Sequence, residues 1–131
     1  MSNASPPPRA VRYWLPLLIW VVLMLYFSSA PQPYPTLGDV DLTPVDVFGH
    51  LIGFVVFTLL LLRWWRFRAG ELTLTHLLQA LAIGLAYALL DELHQIPIPG
   101  RSFQWLDLLT DAGGVALGLT LHFALPRLRR A

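Results

Sequence analysis

The chain contains no cysteine and no lysine, and it carries little charge of either sign. Without cysteine it can form neither a disulfide nor a thiolate metal site. Only 13% of its 131 residues are charged, 56% are hydrophobic, and the mean hydropathy is +0.59. A soluble domain of this size could not cover so much apolar surface. The composition therefore favours a membrane protein, and the net charge of +1 gives no reason to expect a nucleic-acid partner.

Four long apolar segments account for most of the chain. At 1.5 Å per residue, each is long enough to cross a hydrocarbon layer of roughly 30 Å as a helix. They do not show the alternation expected of barrel strands. We predict an all-α membrane protein, a bundle of four transmembrane helices with spans at about 13–30, 44–65, 74–95 and 104–125.

Residues between the segments mark helix ends. The run Thr43-Pro44-Val45-Asp46 is typical of a helix start, and three arginines before Gly70 are typical of a helix end. Ser102 is predicted to cap the fourth helix, and Pro126 to stop it. The prolines at 31, 33 and 35 predict a stiff, non-helical connection. Three consecutive prolines predict a disordered tail at 1–10, before a transmembrane domain at 11–126 and a basic cytoplasmic tail at 127–131.

The arginines predict the orientation in the membrane, because positive residues concentrate in cytoplasmic segments. With four spans, eight of the nine arginines fall on the same side of the membrane as both termini. These eight are Arg9, Arg12, Arg63, Arg66, Arg68, Arg127, Arg129 and Arg130. Arg101 alone falls on the other side, with seven of the eight acids. We expect both termini in the cytoplasm of a multipass bacterial plasma-membrane protein. A cleavable signal peptide, ending near Ala30, is the alternative for the first span; Pro31 after the cut disfavours it.

Polar residues of three segments lie at the outer ends of their predicted helices. Asp46 and His50 are four residues apart, as are Asp107 and Asp111, so each pair shares a helix face. We expect a polar site at the extracytoplasmic mouth of the bundle, with these candidates: His50, Asp91, Glu92, His94, Gln95, Arg101, Asp107 and Asp111. The Pro99-Gly100 turn should bring Arg101 back over the acids.

Asp111 is the deepest of these residues, about 13 Å along its helix from Ser102. Because a charge is costly at that depth, we expect it to be protonated or paired with Arg101 or a histidine. Small residues continue the polar faces inward, at Gly114 and Gly118 and at Gly84. Such stripes let neighbouring helices approach closely, and Gly49 and Gly53 are expected to do the same beside His50.

Five of the candidates also have a purely structural interpretation, whereas Asp111 lies too deep for a helix-end role. Asp91 and Glu92 could simply end a helix in water, and Asp107 could be a favourable acid in a first helical turn. Arg101 could form a structural salt bridge with Asp107. His50 could be a hydrogen-bonded packing residue.

At these residues the chain resembles the VanZ-like family, over roughly Asp46 to Leu121. The resemblance rests on Asp91-Glu92-x-x-Gln95, on Pro99-Gly100-Arg101 and on Asp107-x-x-x-Asp111-x-x-Gly114. The family usually has lysine where this chain has Asp46, and asparagine where it has Asp111, so the site here is more acidic. The resemblance implies a small integral membrane protein, and the namesake is associated with resistance to the glycopeptide teicoplanin.

Three functions follow as hypotheses. The first is a site that binds or modifies a cell-envelope component such as a lipid-linked cell-wall precursor, with Arg101 on a phosphate and His50 or Asp91 as acid–base partner. The second is a non-enzymatic membrane module that acts through envelope proteins. The third is a metal or proton site using His50, His94, Asp91 and Asp111, although no zinc signature is present. We expect membrane lipids as partners and neither a cofactor nor a resident metal; enzymatic activity stays open.

Overall fold

Four helices make up the part of the chain that the computed structural model describes, which is residues 9–31 and 43–125. They are α1 (Val11–Ser29), α2 (Thr43–Ala69), α3 (Leu74–Gln95) and α4 (Trp105–Ala124), and no strand occurs in these residues. The all-helical prediction is confirmed, with each helix within a few residues of its predicted segment. Four predictions fall wholly or largely outside the described residues: the N-terminal tail, most of the proline-rich connection, the helix stop at Pro126 and the basic tail. The side chains of Thr43 and Pro44, at the predicted helix start, also lie outside them.

Three of these helices, α1, α2 and α3, are long and apolar enough to cross a membrane. Of the described helices, the 20-residue α4 is the one that is not apolar enough by composition to be a membrane span, because it carries Asp107, Asp111 and three glycines. The outward faces of the helices are rich in exposed leucine, isoleucine, valine and phenylalanine. Such faces suit a lipid environment, in which apolar side chains need no cover.

Glycines form two of the turns. Gly70 ends α2 with a φ of 78°, and its N–H donates to the carbonyl of Arg66 at 2.8 Å. Gly100 has a φ of 80°, in a turn closed by the Arg101 N–H on the carbonyl of Ile98 at 3.0 Å. These left-handed conformations favour glycine because it has no Cβ. Both turns lie where the sequence predicts them.

The start of α4 differs from its prediction. Its N-cap is Gln104, whose side chain makes no capping hydrogen bond, so the predicted cap at Ser102 is wrong. Instead, the buried carboxylate of Glu92 on α3 accepts the Gln104 backbone N–H through Oε2 at 2.8 Å. Capping therefore comes from a neighbouring helix, which a local sequence pattern cannot reveal.

The packing is closest between α2 and α4, where glycines replace side chains. A Cβ on Gly114 would lie 2.6 Å from the Leu51 carbonyl oxygen, and one on Gly118 would lie 2.8 Å from the Cβ of Thr58. On α3, a Cβ on Gly84 would lie 2.7 Å from a methyl of Val115. These three glycines are the small-residue contacts that the sequence predicts. Gly53 makes no such approach, since its nearest neighbour would be the methyl of Met24 at 3.5 Å.

The apolar core lies between α2, α3 and α4 and is small. Its central side chains are Phe54, Phe57, Leu62, Ala88 and Val115. The ring of Tyr87 packs on Phe54 and Phe57, with centroid distances of 5.5 and 5.1 Å. In contrast, α1 buries only Ser28 among its described residues. The core therefore holds three helices together, and α1 lies against their side.

Candidate functional site: a buried histidine–carboxylate cluster beside a cleft

A polar contact to a fully buried carboxylate joins α2 to α4. His50 Nδ1 lies 2.9 Å from Asp111 Oδ1, and His50 Nε2 lies 3.9 Å from Asp107 Oδ2. Asp111 is fully buried, and Asp107 is 2% exposed. Their spacing of four residues places both carboxylates on the face of α4 that meets His50. Asp111 thus has a histidine partner, one of the options predicted for it.

Two acids of α3 complete the group. Asp91 and Glu92 are both buried, the latter completely. One potential ligand atom from each of four side chains lies within 4.8 Å of all the others. We call this set the histidine–carboxylate cluster: His50, Asp91, Glu92 and Asp111. A second, overlapping group brings Asp46 and Asp107 to the same histidine. Three helices therefore direct their ionisable groups to one point.

Several carboxylate oxygens at this point are buried and lack a hydrogen-bond partner among the described residues. They are Glu92 Oε1, Asp107 Oδ2 and Asp111 Oδ2. Most buried polar atoms in folded proteins are hydrogen-bonded, because leaving one unpaired costs about 1–3 kcal/mol. Three such oxygens near one histidine are costly for the folded state, and each can still accept a hydrogen bond or bind a cation.

Arg101 lies beside the cluster and is held by neutral groups. Its Nε donates to the carbonyl of Ala30 at 3.0 Å, one terminal nitrogen to Gln95 Oε1 at 3.0 Å, and the other to the carbonyl of Phe27 at 3.2 Å. No carboxylate of the described segments lies within ion-pair distance of it. The alternative of a salt bridge with Asp107 is therefore wrong. The positive charge is fixed in place without a bound counter-charge from these residues.

A cleft of about 320 Å³ opens between α1 and α2, next to the cluster. Its walls are apolar: Trp20, Leu23, Met24, Phe27, Ile52 and Phe54. Its polar end contains Ser28, Asp46, His50, Asp91 and Arg101. The hydroxyl oxygen of Ser28 is buried there without a hydrogen-bond partner in the described residues. The cleft thus has one apolar part and one charged end, as an amphiphilic ligand requires.

Comparison with protein families decides the relationship. A model of the VanZ/LLP1 family matches residues 13–126. The chain belongs to the VanZ/LLP1 family. The match extends to the first helix, beyond the part of the chain on which the sequence resemblance rests. No curated protein and no solved structure matches the chain.

Within this VanZ/LLP1 domain, the predicted site residues divide into three groups. The histidine–carboxylate cluster and Asp107 come together directly. Gln95 and Arg101 form the second group, which is connected to the cluster through Asp91. The Gln95 amide nitrogen lies 3.5 Å from Asp91 Oδ2, and its oxygen accepts a hydrogen bond from Arg101. His94 is exposed, and its Nε2 pairs with the Ser29 hydroxyl at 2.9 Å, apart from the cluster. The structure therefore brings together every candidate except His94.

Sequence reasoning missed the contribution of α1. Trp20 donates its indole N–H to the carbonyl of Gly53 at 2.9 Å and so fixes one wall of the cleft. Ser28 supplies the unpaired hydroxyl at the polar end. Trp20 carried a signal, because it lies in the middle of an apolar span instead of at the interface where tryptophan is enriched. For Ser28, the sequence contains no signal that distinguishes it from Ser29.

Proposed function

We propose that this VanZ/LLP1 protein binds an anionic, lipid-linked component of the bacterial cell envelope at the extracytoplasmic face of the plasma membrane. The observation that carries the proposal is the cleft: its apolar walls suit acyl or isoprenoid chains, and its charged end suits a headgroup. Pockets that combine apolar walls with a few placed polar groups are typical ligand sites. Through such a ligand the protein would influence sensitivity to glycopeptides such as teicoplanin, which act on cell-wall precursors.

The proposed topology has four spans and both termini in the cytoplasm. The distribution of arginines supports it, because eight of nine then lie on the cytoplasmic side. The fourth span is α4. Its two acids face α2 and are buried, so lipid would meet mainly its apolar residues, such as Leu109, Leu117 and Phe123. A helix of this kind can cross a membrane as part of a bundle despite its lower overall apolarity.

Arg101 is the proposed anion-binding group. A guanidinium has five N–H groups, and the three hydrogen bonds to described residues engage three of them. The remaining donors and the positive charge suit a phosphate oxygen. The carboxylate of Asp91 and the imidazole of His50 lie at the same end of the cleft and suit the hydroxyl groups of a sugar headgroup. The proposed activity is binding; a reaction at this site would use the same two groups as acid and base.

The test is lipid binding by the purified full chain in nanodiscs of zwitterionic phosphatidylcholine. An undecaprenyl-linked cell-wall precursor is the ligand, phosphatidylglycerol is the competitor, and native mass spectrometry measures occupancy. We expect Arg101→Gln to weaken binding about tenfold or more, as loss of a charged hydrogen bond does. The matched control is Arg68→Gln, an exposed arginine at the far end of α2.

Equal binding by the original chain and the Arg101→Gln and Asp91→Asn variants would refute the proposal. A preference for phosphatidylglycerol over the precursor would refute the cell-wall assignment but keep an anionic-lipid site.

A further inference from the structure

The histidine–carboxylate cluster holds more potential negative charge than its protein surroundings offset. Three buried carboxylates lie close to one imidazole, and among the described segments only Asp111 of the three lies within ion-pair distance of a basic side chain, that of His50. Arg101 is directed to neutral acceptors. Ionised carboxylates at this depth are costly unless a positive charge compensates them.

The spacing of the cluster fits a single divalent cation. Its four potential ligand atoms all lie within 4.8 Å of one another. Ligand bonds of about 2.1 Å place two ligand atoms at most about 4.2 Å apart across a metal ion. Side-chain movements much smaller than an atomic diameter would therefore bring all four ligand atoms within bonding distance of one ion. The ligands come from three helices, so the backbone already positions the site.

The unpaired oxygens are an independent indication of a ligand. Glu92 uses Oε2 to accept the Gln104 N–H and leaves Oε1 buried and unpaired. Asp111 uses Oδ1 for His50 and leaves Oδ2 in the same state. Both side chains are fully buried. The Glu92 carboxylate is thus oriented through one oxygen while its other oxygen has no partner, which is how hydrogen bonds commonly orient metal ligands.

We infer that His50, Asp91, Glu92 and Asp111 form a binding site for a divalent transition-metal cation. Three carboxylates and one imidazole, without sulfur, suit Mn²⁺ first and Zn²⁺ second; the imidazole disfavours Mg²⁺ and Ca²⁺. This set differs from the one that the sequence suggests, because Glu92 takes the place of His94. His50 and Asp91 also line the cleft, so the cation lies at its polar end. The inference does not depend on the proposed lipid, since the cation alone is measured.

The experiment is metal binding by the purified full chain in detergent after removal of metals with a chelator. Mn²⁺ is titrated and its free form measured by electron paramagnetic resonance; retained metal is counted by mass spectrometry after desalting. We expect about one Mn²⁺ per chain. Glu92→Gln and Asp111→Asn should each weaken binding about tenfold or more. The matched control, Glu71→Gln, makes the same change at an exposed acid between α2 and α3 and should bind as the unaltered chain does.

Each outcome decides the inference. Binding of Zn²⁺ in place of Mn²⁺ with the same pattern of variants supports the site. If the unaltered chain retains neither metal, the inference is wrong and the cluster holds protons instead of a cation. This result does not depend on whether the variants fold. Equal losses in Glu92→Gln and Glu71→Gln would likewise overturn it. These metal-binding results leave the Arg101→Gln comparison of the lipid assay unaffected, because Arg101 is not a member of the cluster.

Discussion

At the scale of single residues, the pairing of His50 with Asp111 dominates the site. The imidazole is the nearest hydrogen-bond partner of a fully buried carboxylate, at 2.9 Å. Removing one member of a buried pair leaves the other without compensation, which costs more than the pair contributes. The same four-residue spacing that places Asp107 near His50 makes the histidine the shared partner of both acids.

We therefore predict that His50→Ala lowers the free energy of unfolding by about 3 kcal/mol in metal-free protein. Asp111→Asn should cost less, about 1 kcal/mol, because the amide can still hydrogen-bond the imidazole. Unfolding by dodecyl sulfate in mixed micelles measures both.

His94→Ala is the matched control for that prediction. Its imidazole is exposed and contacts Ser29, so we expect a change within about 0.5 kcal/mol. Similar losses in the two histidine variants would contradict the importance assigned to the buried pair.

At the scale of helices, the contact between α2 and α4 is set by which glycine faces inward. Gly113 and Gly114 are neighbours, but a Cβ on the first would meet only a Leu51 methyl at 3.9 Å. A Cβ on the second would meet the Leu51 carbonyl oxygen at 2.6 Å and the Cβ of Phe54 at 2.9 Å. Backbone atoms cannot move aside as side chains do, so the helices would have to separate.

Adjacent glycine-to-alanine changes should therefore have opposite effects. Gly113→Ala should be neutral or stabilise the protein by about 0.5–1 kcal/mol, because alanine favours the helix. Gly114→Ala should destabilise it by about 1–3 kcal/mol through overpacking. The same dodecyl sulfate titration compares them. A stabilising effect of Gly114→Ala would show that α2 and α4 are not in close contact at Gly114.

At the scale of the whole molecule, the arrangement follows from four helices, two of which, α3 and α4, carry buried acids. The apolar outer faces suit lipid, and the polar groups of α2, α3 and α4 meet at one end of the bundle. The proposed topology places this end outside the cytoplasm. The connection at residues 70–73 and the turn before α4 then lie on opposite sides of the membrane.

The lack of cysteine makes that orientation directly measurable. We predict that Ser102→Cys reacts with a membrane-impermeant maleimide in intact cells, and that Glu71→Cys reacts only after permeabilisation. Both positions are exposed, and the parent chain contains no competing thiol. The reverse pattern would overturn the proposed topology.

Much of this arrangement is predictable from sequence, for identifiable reasons. Helix positions follow from long apolar runs, and the turns at Gly70 and Gly100 from residues that tolerate positive φ. The face shared by Asp107 and Asp111 follows from helical periodicity. The partners of Arg101 and the cap supplied by Glu92 do not follow, because they depend on how separate helices are placed. The same applies to the cleft wall formed by α1, whose amino-acid pattern shows only that it is apolar.

Arg101 has a consequence for how a bound molecule and the first helix affect each other. Two of its three acceptors are the carbonyls of Phe27 and Ala30, at the end of α1. An anion that drew the guanidinium toward itself would compete with those carbonyls. Occupancy would then loosen the attachment of α1, and a looser α1 would raise affinity by the same factor, since thermodynamic linkage is reciprocal. The attachment of α1, which forms one side of the cleft, would thus depend on whether a ligand occupies the cleft.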